Sequence, residues 1–257
     1  MGFGRCRYAH RWSLLSLHRV NPLFPLRDIN PTRITPFVTM LLIAVSLGIY
    51  FFVQAPNTPS EQREFLYRQA AISCEITTGS PLSAREINND ACGGGDDPIF
   101  PEKNEFLAVL TSMFLHGSIA HAVFNMWFLW IFGNNVEEAF GHLRYLLMYI
   151  VGGLAATATF VYLNPESTIP LVGASGAIAA VLGAYAVLFP GHKVLSLLGW
   201  IVLPVPASVF LGIWFVIQLF FVGGNTAWEA HVGGFIFGFA ITLLYRRRAL
   251  RRVRLGH

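Results

Sequence analysis

Charge falls along this chain in blocks, and the runs between the blocks hold almost none. A soluble domain carries about 25% charged residues. Here only 12% of 257 residues are charged and 54% are hydrophobic. A helix of about twenty apolar residues crosses a bilayer and satisfies its own backbone hydrogen bonds in lipid. Six runs predict such spans, at 34–54, 106–132, 143–163, 172–189, 195–222 and 230–246. The expected fold class is an all-α polytopic membrane protein, a bundle of six transmembrane helices.

The basic residues set an expected orientation. The first 33 residues hold Arg5, Arg7, Arg11, Arg19, Arg27 and Arg33 against Asp28 alone. The tail holds Arg246, Arg247, Arg248, Arg251, Arg252 and Arg254 with no acid. By the positive-inside rule both ends are cytoplasmic, which an even number of spans satisfies. Loop 55–105, with four basic and nine acidic residues, falls outside. The pI near 9.1 could point to nucleic acid, but the basic residues flank apolar spans. The expected partner is the lipid bilayer, with no nucleic acid. The organisation read from this is a basic cytoplasmic segment 1–33, a membrane domain 34–246 with outer loop 55–105, and a basic cytoplasmic tail 247–257. The first span is too long, and its leader too extended, for a cleaved signal peptide. Asp28 to Thr32 reads as a turn before that span.

Cys74 and Cys92 share the outer loop. An oxidising compartment permits one disulfide between them, and two free thiols are the alternative. Cys6 reads as a free cytoplasmic thiol. No cysteine cluster has zinc-ligand spacing, so no metal is expected.

Orientation gives the polar residues a common depth. The fourth and sixth spans both start outside, which puts Ser175 and His231 near their outer ends. The second span starts outside too, with His116, His121 and Asn125 in its first half and middle. Ionisable groups in a bilayer are costly and mark functional candidates. Ser175 and His231 suggest a nucleophile and its base. His121 and Asn125, four apart, share a helix face. With the unpaired amides at the start of the fourth span, they can supply an oxyanion hole. Small residues such as Gly173, Gly176, Ala180 and Gly183 make the fourth span a central helix, and Gly234 with Gly238 forms a GxxxG pair that permits close approach to it. No carboxylate in the spans is placed to orient His231, which predicts a dyad.

Each part alone has a plainer reading. A membrane serine commonly bonds its own backbone. GxxxG is common packing. A membrane histidine can serve a pore or proton relay. His142 and His192 read as solvated residues of cytoplasmic turns. The G-x-S-x-G elbow is excluded because position 177 is alanine, and H-E-x-x-H is absent.

Four segments together resemble the rhomboid intramembrane serine proteases, of the bacterial type. They are His116-Gly-Ser-Ile-Ala-His121-Ala-Val-Phe-Asn125, Val136-Glu137-Glu138-Ala139-Phe140-Gly141, Gly173-Ala-Ser175-Gly176, and Ala230-His231-Val-Gly-Gly234 with Gly238. The likeness runs from about residue 105 to 245, and loop 55–104 departs from it. The resemblance implies a serine endopeptidase with Ser175 as nucleophile and His231 as base. It implies His121, Asn125 and the Ser175 amide as the oxyanion hole. Glu137 tethers the turn after the second span, and Gly173, Gly176, Gly141, Gly234 and Gly238 give structural support. No cofactor is implied. Substrates are single-span transmembrane proteins, and the expected location is the cell membrane. A non-proteolytic rhomboid-like protein that binds membrane helices is the alternative. Known inactive relatives lack the serine or the histidine, and this chain has both. A transporter or proton channel built on the histidines is a third class.

Overall fold

The structure, a computed structural model, describes residues 23–55, 58–94, 96–220 and 226–255. Cys6 and the arginines before Leu23 lie outside the described residues, as does the side chain of Arg254.

A short strand β1 (Phe24–Asp28) precedes helix α1 (Phe37–Ile49), which continues as a π-turn through Gln54. The chain bends after Asp28, where the turn is expected. The first helix starts without a capping side chain of its own. Glu137 supplies the missing acceptors from another helix. Its carboxylate takes the Val38 amide at 2.9 Å, the Thr39 amide at 2.8 Å and the Thr39 hydroxyl at 2.7 Å. An anion at a helix N-terminus also meets the positive end of the dipole.

The segment read as outer loop 55–105 folds into three short helices, α2 (Pro59–Gln69), α3 (Ser73–Thr78) and α4 (Ala84–Asn89). Thr58 and Ser83 open the first and last with reciprocal capping boxes. Cys74 and Cys92 are bonded to each other. Glu75 and Lys103 form a buried ion pair at 2.5 Å, and Lys103 Nζ donates to the Tyr67 carbonyl at 2.7 Å.

The second expected span is two helices. Short α5 (Glu105–Ser112) ends before a loop, and α6 (Ile119–Phe140) begins anew. Ser118 causes the restart by accepting the His121 amide with its side chain. The new helix runs to Phe140, so Glu137 lies in its last turn and not beyond it. Gly141 then separates it from α7 (His142–Leu163).

The fourth expected span is α8 (Ser175–Leu188). It is buried from Gly176 to Tyr185 and packs against its neighbours on several sides, as its small residues imply. The fifth expected span is overturned in its first half. Residues 193–206 form a hairpin, β2 (Lys193–Leu198) and β3 (Ile201–Pro206), and only then does α9 (Ala207–Phe220) begin. An apolar run of this length does not tell strand from buried helix. Here Pro204 and Pro206 remove the helical option. The three strands form one antiparallel sheet in the order β1-β2-β3, so the fold is mostly helical but not all-α. The sixth span, α10 (Trp228–Leu255), runs past the expected boundary at 246.

Three helices among the described residues have the length and apolar composition to cross a membrane: Phe37–Gln54, His142–Leu163 and Trp228–Val253. The helices α8 and α9 are apolar but shorter. Helix α6 has 22 residues, but its histidine and asparagines place it outside that set.

His142 and His192 are not simply solvated. His142 Nδ1 sits 2.5 Å from Glu137 Oε1. His192 stacks on Phe189 and lies beside the Tyr185 hydroxyl. That hydroxyl donates to Asp28 Oδ2 at 2.8 Å, and the Asn135 amide reaches the same oxygen at 2.5 Å. Burial raises the Asp28 carboxyl above its ordinary range, against the lowering effect of bonds from Tyr185 and Asn30. One carboxylate thus ties β1 to α6 and α8.

Candidate active site

Ser175 is the first residue of α8, so its amide belongs to the set of helix-start donors that lack an intrahelical partner. The turn that delivers it depends on Gly173, whose φ is +123°. L side chains avoid that region. A Cβ there would also fall 2.8 Å from His121 Cε1 and 3.5 Å from Ser175 Oγ. The imidazole of His121 therefore lies directly over the turn before Ser175.

His231 comes from the first turn of α10. Its Nε2 lies 2.8 Å from Ser175 Oγ. The two helices meet backbone to backbone. A Cβ on Gly234 would sit 2.1 Å from the Gly176 carbonyl oxygen, and one on Gly238 would sit 1.9 Å from that of Ala180. A Cβ on Gly176 itself would meet the Ala156 methyl at 2.6 Å. Only glycine fits at such contacts, which is how two helices bring a serine and a histidine to hydrogen-bonding distance.

Asn125 lies one turn after His121 on α6. Its side chain is buried, and Nδ2 has no hydrogen-bond partner. A buried unpaired amide is costly, and here it borders a cavity of about 660 Å³ that Ser175, His231 and His121 also line. His116 stands apart from them. Its ring is fully buried, meets His121 edge-on at 5.3 Å, and leaves both nitrogens unpartnered. Gln54 holds its backbone on both sides, at 3.0 Å through the carbonyl and 3.1 Å through the amide.

The loop before Ser175 is held by α5 and by the 55–105 segment. The Gly173 amide donates to the Ser112 carbonyl at 3.0 Å, Leu171 pairs with Ala71, and the Cys74 amide donates to the Ser167 carbonyl at 3.0 Å. Asn164 Nδ2 donates to Glu229 Oε1 at 3.1 Å, which joins the end of α7 to the start of α10.

Glu137, in the last turn of α6, and Gly141, just after that helix, do not line this cavity. The first caps α1, and the second, at φ +78°, lies under the Arg252 guanidinium. Among the described residues no group of three or more His, Cys, Asp or Glu side chains is arranged to hold a metal ion.

Two neighbours of His231 escape a reading by motif. Gln218 Oε1 lies 2.7 Å from His231 Nδ1, and the Trp214 ring lies 6.2 Å from the imidazole. Both come from α9, one turn apart. The available signal is that Gln218 is the sole polar side chain in the run 209–222. A buried amide in such a run needs a partner.

The chain matches the Rhomboid domain family over residues 103–248, more than half its length. It is 35% identical over 140 residues to Rhomboid protease GluP of Bacillus subtilis, covering 53% of this chain and 25% of that one. It is 31% identical over 159 residues to Presenilin-associated rhomboid-like protein A, mitochondrial, of Danio rerio, covering 57% and 40%. Putative rhomboid protease YdcA of Bacillus subtilis is 27% identical over 150 residues, covering 58% and 71%. The chain spans less than half the length of the first two.

Proposed function

The chain belongs to the rhomboid family, and from that premise we propose that it is an intramembrane serine endopeptidase working through a Ser175–His231 dyad. The observation that carries the reading is the 2.8 Å contact between Ser175 Oγ and His231 Nε2, made beside a cavity with an unpaired amide donor at Asn125.

The chemistry follows from the geometry. His231 Nε2 takes the Ser175 proton as Oγ attacks the scissile carbonyl carbon. The carbonyl oxygen becomes an oxyanion that accepts from Asn125 Nδ2, a His121 ring N–H and the Ser175 amide. His231 returns the proton to the leaving amine as the C–N bond breaks, which leaves an ester on Ser175. Water, deprotonated by His231, then hydrolyses the ester. The substrate segment unwinds to offer a carbonyl, because a helix engages its own. Gly173 shapes the turn before the serine, Gly176 admits its close helix neighbours, and Gly234 with Gly238 sets the distance of the base.

The same reading covers arrangement and location. Six spans lie between residues 34 and 246, with the basic segments 1–33 and 247–257 in the cytoplasm of a cell membrane protein. The 55–105 segment lies outside, where Cys74 and Cys92 stay oxidised, and the substrates are single-span membrane proteins. The alternative, a non-proteolytic helix-binding protein, has no need of a bonded serine and histidine, and nothing in the site calls for it.

The test is incubation of purified protein with a transmembrane substrate, wild type beside Ser175→Ala and His231→Ala. Cleavage by wild type alone is expected, with fluorophosphonate labelling that Ser175→Ala abolishes. Wild-type cleavage by Ser175→Ala sinks the reading.

A further inference from the structure

The dyad has a third member that is not an acid. We propose that Gln218 is a positioning residue that fixes the His231 tautomer, so that Nε2 faces Ser175 without a proton. The inference rests on the protease reading above.

An amide carbonyl oxygen only accepts hydrogen bonds. Gln218 Oε1 lies 2.7 Å from His231 Nδ1, so Nδ1 carries the hydrogen and donates it. A neutral imidazole has one N–H. Nε2 is then bare, and at 2.8 Å it accepts from the Ser175 hydroxyl. The other tautomer would place an N–H on Nε2, facing the serine, and leave no base. A carboxylate does this work in a triad. A neutral amide performs the orienting part and omits the charge.

The placement favours that task over plain packing. Gln218 is buried and is the sole polar side chain of its apolar run. Trp214, one turn earlier, lies tilted beside the same imidazole. One face of α9 therefore presents a ring wall and an acceptor to His231. The titratable groups lining the same cavity are His121 on α6 and Glu229 on α10, and Glu229 is engaged by Asn164.

The experiment uses the full-length protein in detergent with three variants. Gln218→Met keeps the length of the side chain but offers only a weak thioether acceptor in place of the carbonyl oxygen. Gln218→Glu restores an acceptor with charge. Val216→Met, on the exposed side of the same helix, is the control. For Gln218→Met, kcat falls roughly 10-fold, the worth of one hydrogen bond, with KM and melting temperature unchanged. Gln218→Glu recovers activity. Its carboxylate favours the imidazolium, so the acid-side fall of kcat moves to higher pH. The control matches wild type. A kcat for Gln218→Met within twofold of wild type, or an unmoved acid limb in Gln218→Glu, overturns the proposal.

A readout independent of cleavage separates this failure from that of the protease reading. Ring-nitrogen NMR of labelled histidine, with His231 assigned by its loss in His231→Ala, should show the proton on Nδ1 in wild type and on Nε2 in part of Gln218→Met. A proton on Nε2 in wild type overturns the role of Gln218. Proton on Nδ1 with no Ser175-dependent cleavage overturns the protease reading, and with it the catalytic consequence drawn here.

Discussion

Gly234 on α10 and Gly176 on α8 touch through their backbones, with no room for a single methyl group between them: a Cβ on Gly234 would lie 2.1 Å from the Gly176 carbonyl oxygen. The contact is one residue from Ser175 and three from His231. It sets how far apart those two side chains stand.

Bulk at Gly234 should therefore act on rate through distance. Gly234→Leu forces the helices apart, and overpacking of this kind costs about 1–3 kcal/mol or more. A displacement of about 1 Å costs about 100-fold in rate. Loss of cleavage with lowered thermal stability in detergent is expected. Leu243→Ile, at an exposed position, should leave both unchanged. Full activity and stability in Gly234→Leu would mean that this contact does not position His231.

Asn125→Ala removes a donor that has no partner in the resting site. Turnover should fall by roughly one to three orders of magnitude, with a smaller change in substrate binding. Folding stability should not suffer, since no hydrogen bond of Nδ2 is lost. Single-turnover kinetics beside a melting curve separates the two effects. Unchanged turnover removes Asn125 from the mechanism.

Glu86 gives the 55–105 segment a predictable acid response. Burial opposes its charge, but donors from Ser83, Gly94 and Gly93 prevail and bring its pKa from 4.5 down to about 2. A carboxylate depressed on folding contributes stability that is complete above its unfolded value and lost as pH falls through the folded one. The 55–105 segment should accordingly lose stability between about pH 4.5 and 2. Hydrogen exchange in the amides of 83–94 is the measurement. In Glu86→Gln this pH dependence should flatten, and the same slope in both proteins would refute it.

Orientation and redox state can be read with one reagent. In a Cys6→Ser background, Ser60→Cys should react with an impermeant maleimide on intact cells, and Arg251→Cys only after lysis. Cys74 and Cys92, bonded to each other, should resist alkylation until reduced. Labelling of Arg251→Cys on intact cells would reverse the topology drawn from the arginines.

Much of the site was legible because its chemistry is written in residue types that lipid penalises. Ser175, His121, Asn125 and His231 stand out against apolar runs, and all four line one cavity. Gln218 carries the same signal and was missed because no motif includes it; its meaning lies in a distance to a residue thirteen positions away. The second span did not announce its break at Ser118, since a capping serine and a buried one look alike in a string. The hairpin at 193–206 was hidden because a short apolar run has no period that separates strand from helix.

The sequence by itself determined what kind of solvent this chain needs, where its polar atoms are exceptional, and which small residues allow helices to touch. These are local properties of composition and spacing. Only the tertiary structure decided which polar atoms meet: that Glu137 caps α1, that the 55–105 segment braces the loop before Ser175, and that α9 turns an amide toward His231. Hydrogen bonds are short and directional, so a partner is chosen by the packing of whole helices and not by position along the chain.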